Sequence, residues 1–151
     1  MKFFAVAMTL AGLVTCGGID SQTNRPASTV TFDGSGAVLY VAVADTAQEQ
    51  QKGLMGVEML AADEGMVFVF DEPANSTFWM KDTLIPLSIA FVDESGRVIG
   101  VRDMQPCEAD PCPTYGIDEP YVLAIEANLG WFDRAGIEGG DHAELKVSAY
   151  A

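Results

Sequence analysis

Histidine is almost missing from this sequence: His142 is the only one in 151 residues. Cysteine is scarce as well, with Cys16, Cys107 and Cys112 alone. A zinc site needs several nitrogen or sulfur donors close together, and no stretch supplies them. Positive charge is the next shortage. Eight Lys and Arg face 22 Asp and Glu, for a formal net charge of −14. A field of that sign repels phosphate backbones and anionic headgroups, so no nucleic-acid partner is expected. The acids are spread along the chain rather than gathered in a tail, and the plain reading is a solvated surface. There is no Gly-x-Ser-x-Gly elbow, no glycine-rich phosphate loop and no internal repeat. Those absences remove the usual sequence signals of an α/β hydrolase, a nucleotide-phosphate site and a solenoid. Apolar residues are plentiful at 49%, enough for the core of one domain and too many for global disorder.

The first residues form a separate object. Lys2 precedes FFAVAMTLAGLV, an apolar run too short to span a bilayer. A positive start and a short apolar stretch make a secretory signal over 1–15. It ends in LVTC at Leu13–Cys16, which resembles a bacterial lipobox, although Thr15 stands where Gly, Ala or Ser is usual. Lipidation at Cys16 is the expectation, with ordinary secretion and an uncleaved leader as alternatives. Gly17 and Gly18 follow the Cys with no Asp that signals inner-membrane retention. The expected place is therefore periplasmic, anchored to the outer membrane, with membrane contact only through the lipid. Residues 16–36, rich in Gly, Ser, Thr and Asn, read as a flexible tether.

The folded domain is expected over 37–151. Val38–Ala44 alternates large and small apolar residues, as a strand does. Thr46 and Glu49 have the spacing of a capping box, opening a helix over 47–55. Strands follow at 65–70, 77–80, 87–92 and 97–101, with Asp93–Gly96 as a hairpin loop. After an irregular stretch come a strand at 121–126, a short helix capped by Asn128 and stopped by Gly136, and a last strand at 143–148. Many short strands, two short helices and no βαβ rhythm indicate a mainly β fold: a compact antiparallel β sandwich or pseudo-barrel.

Candidate chemistry is sparse. Cys107 and Cys112 enclose four residues, and in an exported chain such a pair is most simply a disulfide. Closing so small a loop contributes only about 2 kcal/mol. Glu108, Asp110, Asp118 and Glu119 could suggest calcium, but they lack EF-hand spacing and read as solvated loop charges. Met55, Met59, Met66, Met80 and Met104 could suggest Cu(I), though filling an irregular core is the commoner use of methionine. No metal and no cofactor is expected. His142, in Gly-Asp-His-Ala, reads as a turn residue rather than a general base. With 22 acids some pair always lies at a glycosidase spacing, so that match carries little weight.

Five stretches, in order, carry a family resemblance: GLM at Gly53–Met55, DEGMVFVF at Asp63–Phe70, FWMKDTLIPLSIAFVDESGRV at Phe78–Val98, QPCEADPCPTYG at Gln105–Gly116, and EANLGWF through GIEGGD at Glu126–Asp141. Together they make the chain similar to the domain of unknown function numbered 192, an uncharacterised ancient conserved region. The resemblance implies a compact β pseudo-barrel or sandwich and carries no activity with it. This chain departs from the usual FWMKNTLIPLDIAF block at Asp82 and Ser88, where Asn and Asp are common. It departs again at Gly56 and Val57, where an aromatic residue and Arg usually follow GLM. Lys81, Thr83 and Tyr115 keep the pattern. The missing carboxylate at Ser88 and the new one at Asp82 suggest that negative charge near Lys81 has been relocated.

The expected function is a non-catalytic, monomeric binding module for a small molecule or an envelope protein. Its candidate surface is Trp79, Lys81, Asp82, Thr83, Ser88, Tyr115 and Trp131, near the Cys107–Cys112 loop. The alternatives are a structural envelope lipoprotein and an envelope hydrolase using Lys81 with a carboxylate.

Overall fold

Residues 28–148 are described by the structure, a computed structural model. Along this span run β1 (Ser28–Phe32), β2 (Val38–Ala44), α1 (Ala47–Lys52), β3 (Glu64–Ala74), β4 (Phe78–Trp79), β5 (Leu87–Val92), β6 (Val98–Met104), β7 (Thr114–Tyr115), β8 (Tyr121–Asn128), α2 (Trp131–Ala135) and β9 (Ala143–Lys146). The fold is mainly β, a strongly curled seven-stranded half-barrel with two short helices. The strand order is β6-β5-β8-β3-β2-β1-β9, with β4 and β7 as a separate two-stranded ribbon. The expected signal at 1–15 and anchor at Cys16 lie outside the described residues.

Strand alternation divides the core in two. Val67, Ala90, Val92, Ile125 and Ala127 point to one side, where they meet Val30, Phe32, Trp131 and Phe132. Phe68, Leu87, Ile89, Phe91 and Ala124 point to the other, toward Leu54, Met80, Met104 and Tyr121. All six residues of β5 are therefore buried, because both faces of this central strand are covered. Such a strand shows a continuous apolar run instead of polar alternation.

Two expectations are corrected, the tether's end and the α2 cap. The tether does not reach Gly36, since Ser28–Phe32 forms a strand between β2 and β9. Its partner β9 lies more than a hundred residues away, and that pairing buries Val30 and Phe32. A segment of Ser, Thr and Gly looks like linker until the distant strand is in place. One crossover does occur: β2 and β3 are parallel, and the connection between them, residues 45–63, includes α1. A single such unit sets no βαβ rhythm, and the other strand pairs are antiparallel. Asn128 does not cap α2, which starts from Gly130 in a left-handed conformation. The Asn128 amide instead donates to the Ala61 carbonyl oxygen at 2.8 Å.

Other local readings match. The Thr46 hydroxyl accepts from the Glu49 backbone N–H, and the Glu49 carboxylate accepts from the Thr46 backbone N–H. The Thr46 hydroxyl also donates to Glu49 Oε2 at 2.7 Å, and that bond, with the one from the Thr46 backbone N–H, holds the Glu49 carboxyl below the usual range. In the β5–β6 hairpin Asp93 Oδ1 accepts from the backbone N–H groups of Ser95 and Arg97, and Gly96 takes φ +80°. Gly136 ends α2 with φ +70°.

Candidate functional site

Glu126 lies in the middle of β8, on the same face as Ala124. Its cross-strand neighbours are Met66 on β3 and Ile89 on β5, so the carboxyl is flanked by apolar side chains on both sides. The residue is 5% exposed, no side chain or backbone group among the described residues hydrogen-bonds to its carboxyl, and the carboxyl oxygens keep their access to the cleft. Burial alone pushes its pKa up to about 8. A buried carboxyl normally acquires a partner or is lost, because leaving it unpaired costs a few kcal/mol. An unpaired one is a mark of function.

The carboxyl faces open space. Glu126 lines a cleft of about 250 Å³ between the last turn of α1, β3 and the start of the β4 ribbon. Its walls are Leu54, Phe68, Phe70, Phe78 and Trp79, and its polar lining includes Gln50, Lys52, Thr77 and Thr83. Lys52 is the only other ionisable side chain there, and it is exposed at the rim. The Gln50 amide donates to the Val69 carbonyl at 2.7 Å and ties the helix to β3. Phe68 and Phe78 meet edge to face at 5.1 Å. Tyr121 holds the opposite lip: its hydroxyl donates to the Ser76 carbonyl at 2.7 Å and lies 3.0 Å from the Ser76 hydroxyl. Burial raises the Tyr121 phenol, partly offset by its bond to Ser76.

The residues singled out from sequence fall in four places. Trp79 and Thr83 line the cleft. Lys81 and Tyr115 lie beside it on the ribbon, which pairs Phe78 with Tyr115 and Trp79 with Thr114. Lys81 forms a bridge to Cys107, and its ammonium reaches Asp110 at 3.6 Å and the Trp79 ring at 5.5 Å. Cys107 and Cys112 form the expected disulfide, and the Cys107 backbone N–H donates to the Met80 carbonyl. The loop thus docks on the ribbon that borders the cleft. Asp82 is exposed at a turn with φ +56°, and its carbonyl accepts from Gly56. The carboxylate beside Lys81 is therefore Asp110 rather than Asp82.

Ser88 and Trp131 belong elsewhere. The Ser88 hydroxyl donates to Asp103 Oδ1, directly across on β6, and accepts from the Gly130 N–H at 2.8 Å. The carboxylate linked to Ser88 is thus Asp103, and the pair anchors the start of α2. Ser88→Ala would leave the Gly130 N–H without that acceptor. It is expected to cost 1–3 kcal/mol in urea denaturation, in the range for an unpaired buried donor. Trp131 packs in the other half of the core, with Nε1 donating to Asp63.

Glu126 was not among the sequence candidates. Its signal was present, a lone acid inside the apolar run YVLAIEA. Among the described residues no group of three or more His, Cys, Asp or Glu is placed to hold a metal.

Comparison with known proteins adds a family and two structures. The DUF192 model, an uncharacterised ancient conserved region, matches residues 28–145. A crystal structure of a protein of unknown function from Novosphingobium aromaticivorans is 37% identical, with a TM-score of 0.70, over 78% of this chain and 82% of that one. A Sinorhizobium meliloti protein, described as a transcription-regulator candidate, is 28% identical, with a TM-score of 0.69, over 80% of this chain and 95% of that one. No curated protein matches.

Proposed function

Because the chain belongs to the DUF192 family of uncharacterised proteins, we propose a role as a non-catalytic module that binds a small molecule in the cleft over Glu126. The unpaired, buried carboxyl at the floor of an aromatic-walled cleft carries this reading. Such a combination of apolar walls and a few convergent polar groups is the usual form of a small-ligand site. Lys81, the residue a hydrolase reading would use, has its ammonium on Asp110 and Trp79 instead of the cleft. The net charge of −14 argues against a nucleic-acid partner.

The leader at 1–15 and the lipobox-like Cys16 support export and an outer-membrane anchor that displays the domain in the periplasm. Mass spectrometry of the mature N-terminus tests the anchor, and an unmodified Cys16 would sink it.

The binding role is tested by a thermal-shift screen of a metabolite library against the wild type and Gln51→Trp. Gln51 is an exposed residue on the cleft rim, where a bulky side chain obstructs entry at little cost to folding. Compounds that stabilise the wild type and not the variant support a cleft ligand. A library with no such compound overturns it.

A further inference from the structure

Several features of the cleft select among ligands. Its floor holds one carboxyl with no protein partner among the described residues. An anion placed there would find no positive partner at the floor, whereas an ammonium group would supply the carboxyl's missing partner. The walls are mostly aromatic, with Phe68, Phe70, Phe78 and Trp79 around the opening. Ring faces attract cations, and Trp does so most strongly. The last turn of α1 lies at the rim and carries Lys52, whose exposed side chain leaves the floor to Glu126. Beyond the cleft, the net charge of −14 raises the local concentration of cations. A metal ion is a poor fit, since one carboxylate gives too few ligands.

We infer that the cleft takes a small organic cation, an ammonium group on an apolar or aromatic body, and that binding releases one proton from Glu126. This inference rests on the ligand-binding reading above and assigns the chemical class. The exchange balances: the neutral carboxyl loses its proton to solvent, and the resulting carboxylate pairs with the ammonium, which keeps its own protons.

The surroundings leave Glu126 as the group that titrates. β5 has no ionisable side chain, and β4 has none. From β3 the neighbours in the cleft are Phe68 and Phe70, while Glu64, Asp71 and Glu72 do not line it. From α1 Lys52 stands at the rim, and Glu49 points back to Thr46. On β8 itself Tyr121 is bonded to Ser76. His142 pairs with Asp33 and lies outside the cleft.

The test uses benzylammonium and its uncharged counterpart benzyl alcohol, titrated calorimetrically into the protein at pH 6, 7 and 8. Repeating each titration in buffers of different ionisation heat counts the protons released. Benzylammonium is expected to bind more tightly than the alcohol, to release close to one proton at pH 7, and to weaken roughly tenfold between pH 7 and pH 6. Glu126→Gln should weaken benzylammonium at least tenfold at pH 8 and flatten the pH dependence, with a far smaller effect on the alcohol. Equal binding of the two probes, unchanged binding in Glu126→Gln, or no proton release overturns the cation assignment. If the alcohol binds and Gln51→Trp blocks it, the cleft still binds ligands and only the assigned class is wrong. If neither probe binds, the cation assignment falls, and the library screen decides the broader reading separately.

Discussion

Glu126→Gln is expected to flatten the protein's stability between pH 5 and pH 8, a range in which the wild type loses roughly 3–4 kcal/mol. An unfolded glutamate titrates near 4.5, and the folded one is pushed up to about 8 by burial between Met66 and Ile89. The folded state therefore holds this proton more tightly than the unfolded state. The stability it confers is complete below pH 4.5 and is lost as the pH rises through 8. Glutamine keeps the shape and cannot ionise, so the two proteins should be similarly stable at pH 5. At pH 8 the variant should be the more stable one. Glu49 and Asp93 shift the other way, held low by hydrogen bonds to Thr46 and Ser95. Their stability is present above their unfolded values and lost on acidification, below this window. Urea denaturation at pH 5 and pH 8 gives the comparison. Curves for wild type and variant that run parallel with pH would show that Glu126 does not titrate inside the fold.

That expectation has a functional edge. A residue whose removal stabilises the protein at neutral and alkaline pH is retained at a cost to folding. Binding sites are where such costs are usual, because the groups a ligand needs are often poorly served without it. A cation in the cleft would repair the defect, so a bound ligand should stabilise the wild type most at the alkaline end.

The fold was readable from residues whose partners are near in sequence. Thr46 and Glu49 are three apart, and Asp93 and Gly96 form one turn. Leu87–Val92 could be read as a buried strand because continuous apolar character at that length leaves little else. What escaped depends on distant partners. β1 is short and rich in threonine, and it is completed as an inner strand by the distant β9 on the side away from β2. The ribbon strand β7 is two residues long and exists through its pairing with β4. The site shows the same division. Trp79 and Thr83 were found because the FWMK block drew attention to them, and both line the cleft. Ser88 was drawn in by the same block, yet its contacts are with Asp103 and Gly130. Glu126 closes the strand expected at 121–126, and an acid at a strand end is ordinarily solvated. Its burial follows from β3 and β5 lying on either side, which one strand's sequence does not disclose.

Phe91→Ala should destabilise the protein by about 3–5 kcal/mol and weaken ligand binding, although Phe91 does not line the cleft. Phe91 is fully buried in β5, with the small residues Gly100 and Ala124 opposite it on the neighbouring strands. Neither can swell to fill the space left by the ring, so a cavity would remain. The ring also lies 4.9 Å from Tyr121 and 5.9 Å from Phe78. Those two residues shape the cleft: Phe78 forms a wall, and Tyr121 holds the Ser76 lip through its hydroxyl. Losing Phe91 removes the support behind both. Phe32→Ala is the control, since Phe32 is equally buried but packs on Trp131 and Phe132 in the other half of the core. It should lower stability by a similar amount and leave binding unchanged well below its melting temperature. Should Phe91→Ala fail to fold, Phe91→Leu keeps most of the volume and should show the same binding defect on a smaller scale. Equal binding losses from the two halves of the core would mean that the cleft depends on global stability. A loss confined to Phe91 would mean that the aromatic layer beneath the cleft fixes its shape.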